Sequence, residues 1–326
     1  MSKVLVAPAP LDGLDVEFRS ALLAAKFELI YPKLGHQMVE SELLQYLPGN
    51  KAALAGSEPY TRRVLESAPD LRVIARVGVG YDAVDMAAAS ERGIAVCITP
   101  GTNQDSVAEH TMMLILALAR HLVKQHNSVC AGAWPRQANV PVRGTTLGIL
   151  GLGRIGKAVA LRGLAFGMRL IAHEPFPDQP FVTKHEIQLC SREQVFREAD
   201  FLSIHAPMTA ESKHLVNATS LGWMKPTAFL INTSRGGLIN ELDLYDALKH
   251  RRIAGAALDV FEKEPPGDNP LFELDNIVLT AHTAGVDTKS RDDMALSAAQ
   301  AIIDLSKGLW PAEKIVNPEV RSKFKW

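Results

Sequence analysis

Four polar residues stand out because each follows a short apolar run: His205, Arg235, Asp259 and His282. In a parallel sheet such positions lie beyond the carboxyl ends of the strands, where ligands bind, so the four are expected on one rim. Their types suit proton exchange and anion binding. An imidazole titrates near working pH, which makes His282 the better base for a hydroxyl proton. Arg235 offers a planar fork that fits a carboxylate and the oxygen beside it. Glu264, in the turn Glu262-Lys263-Glu264-Pro265-Pro266, has the reach to bond the second nitrogen of His282, fixing its tautomer and favouring the protonated ring. Each residue also has a plainer reading. A strand-end histidine can be a surface or capping group, and His205-Ala206-Pro207 a strand terminator. Arg235 can be an ion-pair partner, Asp259 a loop cap, and Glu264 a member of a solvated acidic turn.

None of these side chains can carry a hydride, but Thr146 to Glu174 has the features needed to bind a carrier that does. Leu147, Ile149 and Leu150 form an apolar run too short for a helix and read as a central parallel strand. Gly151 turns the chain sharply, Gly153 removes the side chain that would hold a pyrophosphate away, and Gly156 lets the following helix lie close to the sheet. That helix offers unpaired N–H groups to the phosphates at its N-terminus. Glu174 follows roughly twenty residues on, where a carboxylate accepts hydrogen bonds from an adenosine ribose. The acid repels a 2′-phosphate and the next basic residue is Lys184, so the expected cofactor is NAD rather than NADP.

The elements that must position these groups alternate along the chain. Through residue 100, strands are expected at Lys3–Ala7, Phe27–Ile30, Ala52–Ala55, Leu71–Val77 and Ile94–Ile98, with helices at Leu14–Ala25, Ser41–Leu47, Thr61–Ser67 and Met86–Arg92. This is a small α/β domain with a parallel sheet. Ser106–Ala119 reads as one long helix, apolar over most of its circumference, to be buried between the domains or against a second subunit. Residues 124–145, with Trp134, Arg136 and Arg143, read as a loop or arm, and the prolines after Glu174 as a turn region. Strands then fall at Phe201–Ile204, Phe229–Asn232, Gly255–Val260 and Ile277–Thr280, and a last helix spans about Ser290–Leu305. After residue 146 the pattern is a doubly wound sheet.

Composition narrows the function. A chain of 326 residues, 47% hydrophobic and 22% charged, is long enough for two domains, each with its own core. With 35 basic against 36 acidic side chains it has no field to attract nucleic acid or an anionic membrane. Cys97, Cys130 and Cys190 are far apart and form neither a disulfide framework nor a zinc motif, so no metal is expected. No signal peptide or membrane span is evident, and the expected location is cytoplasmic.

Six stretches in this order resemble the D-isomer-specific 2-hydroxyacid dehydrogenase family: GVGYDAVD (Gly78 to Asp85), TPGTNQDSVAEH (Thr99 to His110), TLGILGLGRIGK (Thr146 to Lys157), NTSRGGLIN (Asn232 to Asn240), AALDVFEKEPP (Ala256 to Pro266) and TAHTAG (Thr280 to Gly285). The resemblance covers nearly the whole chain. It implies an α/β fold of two Rossmann-like domains, doubly wound parallel sheets with a cleft between them that closes to exclude water. Residues 1–100 plus 290–326 would bind substrate, and 101–289 would bind NAD. The implied catalytic trio is Arg235, Glu264 and His282. The backbone at Val79 and Gly80 would hold the substrate carboxylate. Gly151, Gly153, Arg154, Ile155, Gly156, Glu174, His205, Ala206, Pro207, Thr209, Thr233, Asp259 and Ala284 would surround the cofactor, Asp259 near the nicotinamide amide. The family also implies a homodimer formed around Ser106–Ala119.

The motifs look most like the phosphoglycerate dehydrogenase branch. Arg76 and Arg136 match its phosphate-binding positions, so 3-phosphoglycerate is the expected substrate, with hydroxypyruvate or glyoxylate reduction as the alternative. An NAD(H)-sensing corepressor-like binding protein is the alternative of another class. Ala281, Thr283 and Ala284 depart from the usual residues around the family's histidine, and Glu264 stands where formate dehydrogenases carry glutamine, which counts against that reaction.

Overall fold

The computed structural model describes residues 1–326. They divide into two compact units, Met1–Asn103 with Asp287–Trp326, and Gln104–Val286. The boundaries expected at 100 and 290 give way to helix starts, because each crossing falls where a loop ends and a long helix begins.

The first unit begins β1 (Lys3–Val6), α1 (Glu17–Ala24), β2 (Glu28–Ile30), α2 (Glu40–Tyr46), β3 (Ala52–Ala55), α3 (Arg62–Ser67), β4 (Val73–Arg76), α4 (Met86–Glu91) and β5 (Ala95–Cys97). All five strands are parallel, in the order β2-β1-β3-β4-β5. Every residue of β3, β4 and β5 is buried, as befits strands covered on both faces.

The second unit continues with α5 (Gln104–Ala119), α6 (Leu122–Cys130), β6 (Thr146–Leu150), α7 (Arg154–Ala165), β7 (Arg169–His173), α8 (Gln179–Lys184), β8 (Gln188–Leu189), α9 (Arg192–Glu198) and β9 (Phe201–Ile204). It closes with α10 (Ala218–Leu221), β10 (Phe229–Asn232), α11 (Glu241–Lys249), β11 (Gly255–Leu258) and β12 (Ile277–Leu279). Its seven parallel strands run β12-β11-β10-β9-β6-β7-β8. The order reverses at β6, the strand that feeds the glycine turn, and ligands of open α/β sheets bind at such a switch point. The chain then returns to the first unit through α12 (Thr288–Ser306), which packs on α1, β3 and β4.

Two expectations fail. Most of α6 lies in the segment read as a loop or arm; none of its residues is buried, and its apolar Leu122, Val123 and Val129 face solvent rather than a core. The proline-containing turn region contains α8, capped by the Asp178 side chain with Pro180 in its first turn, where proline is tolerated because the N–H it lacks would have no partner. The short β8 follows it. The apolar α5 packs within its own unit against α7, β10, β11 and β12.

Candidate active site

The glycine turn is built as a phosphate cradle. A Cβ at Gly156 would collide with the Gly151 carbonyl, and one at Gly151, where φ is +94°, would overlap the backbone of His205 and Ala206. Helix α7 therefore lies tight against the sheet. Gly153 meets nothing within 4 Å and, as the N-cap of α7, supplies no side-chain cap. The first N–H groups of that helix are left for an anion. Arg154 and Ile155 open the helix, Arg154 exposed. Glu174, just past β7, accepts from the Leu152 N–H at 2.8 Å and the Phe176 N–H at 2.9 Å, which ties the acid to the turn. These features fit a dinucleotide: the open side of Gly153 and the uncapped helix take the pyrophosphate, and Glu174 stands at the ribose position.

At the same edge of the sheet, β9, β10, β11 and β12 end next to one another and release His205, Thr233–Arg235, Asp259 and Thr280–His282. His282 Nδ1 lies 2.6 Å from Glu264 Oε2, which leaves Nε2 as the nitrogen able to exchange a proton. Burial pushes the Glu264 carboxyl up, yet the hydrogen bond and charge of His282, the Phe261 N–H and the charge of Arg235 together hold it below the ordinary carboxylate range. Gly236 brings the Arg235 loop close, since any side chain there would overlap the Phe261 carbonyl. The guanidinium bonds the Ser234 carbonyl at 2.7 Å, and Asn232 Nδ2 donates to the Arg235 carbonyl at 2.8 Å.

His282 has a positive φ of 53°, uncommon for a non-glycine residue. Asp259, fully buried, holds that loop. Its Oδ1 accepts from the Thr280 hydroxyl at 2.6 Å and the Thr283 N–H at 2.9 Å, its Oδ2 from the Ala284 N–H at 2.9 Å, and its carbonyl from the His282 N–H at 2.8 Å. His110 of α5 reaches Thr280 Oγ1 at 3.0 Å, and Ser106 donates to the Ala284 carbonyl at 2.8 Å. The resemblance implies a nicotinamide contact for Asp259; what the structure displays is a carboxylate engaged in shaping the loop of the base.

His205 is partly buried; desolvation of its ring pushes its pKa down to about 3, so it stays neutral, and its Nε2 meets Ser203 Oγ at 2.8 Å. The Ala206 and Pro207 carbonyls accept from Ser234 and Ser212, Thr209 pairs with Ser212, and Thr233 pairs with Thr111.

In the first unit, Gly78 (φ +153°), Val79 and Gly80 follow β4. The Thr99 hydroxyl and Gly78 bond at 3.1 Å, while the Val79 and Gly80 N–H groups make no hydrogen bond within the protein. Arg76 is 7% exposed, and its Nε donates to the Gly80 carbonyl at 2.8 Å. Arg136 is exposed in the segment after α6. Sequence reasoning passed over Glu58, which is 1% exposed; applying the strand-end rule to β3 as well would have found it.

A seven-stranded Rossmann-like sheet with an uncapped glycine turn and a histidine–carboxylate pair at its strand ends defines an NAD-binding dehydrogenase unit. The chain belongs to the D-isomer specific 2-hydroxyacid dehydrogenases, whose NAD binding domain matches residues 112–284. It is 40% identical over 271 residues to a glyoxylate reductase of Korarchaeum cryptofilum, covering 81% of each chain. It is 36% identical to a D-3-phosphoglycerate dehydrogenase of Synechocystis across 100% of this chain but 58% of that one. The D-lactate dehydrogenase of Aquifex aeolicus, solved with NAD and lactic acid, superposes with a TM-score of 0.86 at 26% identity, covering 97% of this chain and 99% of that one. The cofactor of this family is NAD, and no helix here is long and apolar enough to cross a membrane.

Proposed function

We propose that this protein interconverts a small 2-keto acid and its D-2-hydroxy acid with NAD(H), glyoxylate or hydroxypyruvate being the preferred keto acids. The observation that carries the reading is the 2.6 Å bond between His282 and Glu264 on the strand-end rim of the dinucleotide sheet. NAD(H), when bound, supplies the hydride. Arg235 orients the carboxylate and carbonyl of the substrate with its planar fork. In reduction, protonated His282 gives its Nε2 proton to the developing alkoxide; in oxidation, the neutral ring takes that proton back. Glu264 holds the ring in the tautomer that leaves Nε2 outward and stabilises the imidazolium. The Val79 and Gly80 N–H groups hold the substrate carboxylate.

An unphosphorylated substrate is supported by the buried Arg76, whose Nε is committed to the Gly80 carbonyl. The 3-phosphoglycerate reading draws on the exposed Arg136 and on the Synechocystis relative. NADH oxidation with glyoxylate, hydroxypyruvate and 3-phosphohydroxypyruvate in parallel decides between them. Preference for the first two is expected, and His282→Ala should lower kcat/KM by about 10²–10⁴-fold. Preference for the phosphorylated acid would restore the other reading, and NADH binding without turnover of any keto acid would favour a dinucleotide sensor. A second copy of this chain is the proposed partner, supported by the exposed Leu122, Val123, Val129 and Trp134 around α6; a monomer in light scattering would remove that part.

A further inference from the structure

The positive φ of His282, 53°, is a conformation that a histidine holds only when its surroundings impose it. Two elements do so. At the end of β11, the Asp259 carbonyl accepts from the His282 N–H, and its carboxylate accepts from the Thr280 hydroxyl and the Thr283 and Ala284 N–H groups. The second element is α5. Its Ser106 donates to the Ala284 carbonyl at 2.8 Å, and its His110 Nε2 lies 3.0 Å from Thr280 Oγ1. The two residues are four apart and share one face of the helix. They grip the loop two residues before His282 and two residues after it.

The direction of these bonds assigns a hydrogen on His110. Thr280 has one hydroxyl hydrogen, and it goes to Asp259 Oδ1 at 2.6 Å. Thr280 Oγ1 can then only accept from His110, so Nε2 is a protonated ring nitrogen. The same nitrogen is 3.6 Å from Asp259 Oδ1, where a donor is the favoured neighbour. The next residue of α5, Thr111, pairs with Thr233 at 3.0 Å, two positions before Arg235. One helix face therefore meets both the loop of the base and the loop of the arginine.

We propose that His110 is a positioning residue for proton transfer: its Nε2–H fixes the Thr280 hydroxyl on Asp259 and, with Ser106, locks the 280–284 loop so that His282 stays seated against Glu264. Its link to turnover rests on the function proposed above; the lock itself does not. The test uses the full chain with His110→Phe, which removes the donor, and His110→Gln, whose amide nitrogen keeps one at comparable reach. In His110→Phe, hydrogen exchange at the amides of His282, Thr283 and Ala284 should quicken. The single-turnover rate of NADH oxidation by glyoxylate should fall about tenfold, the scale of one lost hydrogen bond, with glyoxylate KM and NADH Kd within about twofold. His110→Gln should recover the rate to within about threefold, because the donor is restored. In a His282→Ala background, His110→Phe should cost nothing more, because it acts through His282. Unchanged exchange, a rise in KM at constant rate, no rescue by glutamine, or a further loss without His282 would each overturn the proposal. If His110→Phe does not fold, Thr280→Val, which removes the acceptor, must quicken the same exchange and slow the same turnover; its failure to do so overturns the proposal equally. If the unaltered protein binds NADH yet reduces no keto acid, the proposed function falls, and the exchange measurement still decides the lock.

Discussion

Both units are parallel sheets with a glycine-containing turn after an interior strand, yet the two turns are finished in opposite ways. In the second unit the turn Gly151–Gly153 runs straight into α7, whose N-cap glycine offers no side chain. In the first, the turn Gly78–Gly80 leads to α4, whose N-cap Asp85 accepts from the Ala88 N–H at 2.9 Å. One helix N-terminus is left for a ligand's phosphates, and the other is closed by the protein's own carboxylate. A glycine turn after a strand is therefore not a dinucleotide site in itself; the residue that caps the next helix decides. The carboxylates differ as well. Exposed Glu264 has enough partners to be held below the ordinary range, whereas in buried Glu58 desolvation outweighs Arg76.

The comparison breaks most directly at Gly153. Gly153→Asp would give α7 the kind of cap that α4 has, placing a carboxylate where the pyrophosphate is expected. NADH affinity should fall by about 100-fold or more while thermal stability is kept or slightly raised, as read by fluorescence titration and melting. Undiminished binding would remove the cap argument.

A smaller effect is expected at the histidine–carboxylate pair. Because the folded-state pKa of Glu264 is depressed, its favourable contribution is present above the ordinary carboxylate value and is lost as pH falls through the lower, folded value. Glu264→Gln should remove that acid-side dependence and lower kcat/KM by about tenfold; a pH–rate profile unchanged below the ordinary carboxylate range would contradict the role. Asp85→Ala should cost about 1 kcal/mol of stability, measured by urea unfolding, and should not create a second dinucleotide site. A second NADH-binding event would show that the cap is not what separates the two turns.

The glycine turn, its flanking strands and Glu174 were legible because local conformation dictates residue type there: Gly151 adopts a positive φ and Gly156 tolerates no Cβ. Strands β3, β9 and β10 were legible to the residue, since buried parallel strands are continuous apolar runs. Helices α6 and α8 were not, one lacking a buried face and the other carrying a proline in its first turn. The strand-end rule brought His205, Arg235, Asp259 and His282 to one edge, but a rule about position does not say which carboxylate is structural. Only folding separated Asp259, whose carboxylate is taken up by Thr280, Thr283 and Ala284, from Glu264, which meets His282. The same holds for Arg76. By type and position it reads as a phosphate ligand, and only folding shows it buried with its Nε given to the Gly80 carbonyl. The sequence by itself determined the order of elements and the chemistry within reach, since propensity and glycine geometry act locally. Burial and long-range pairing decided which groups remain available for that chemistry, because desolvation and hydrogen-bond satisfaction depend on neighbours that are distant along the chain.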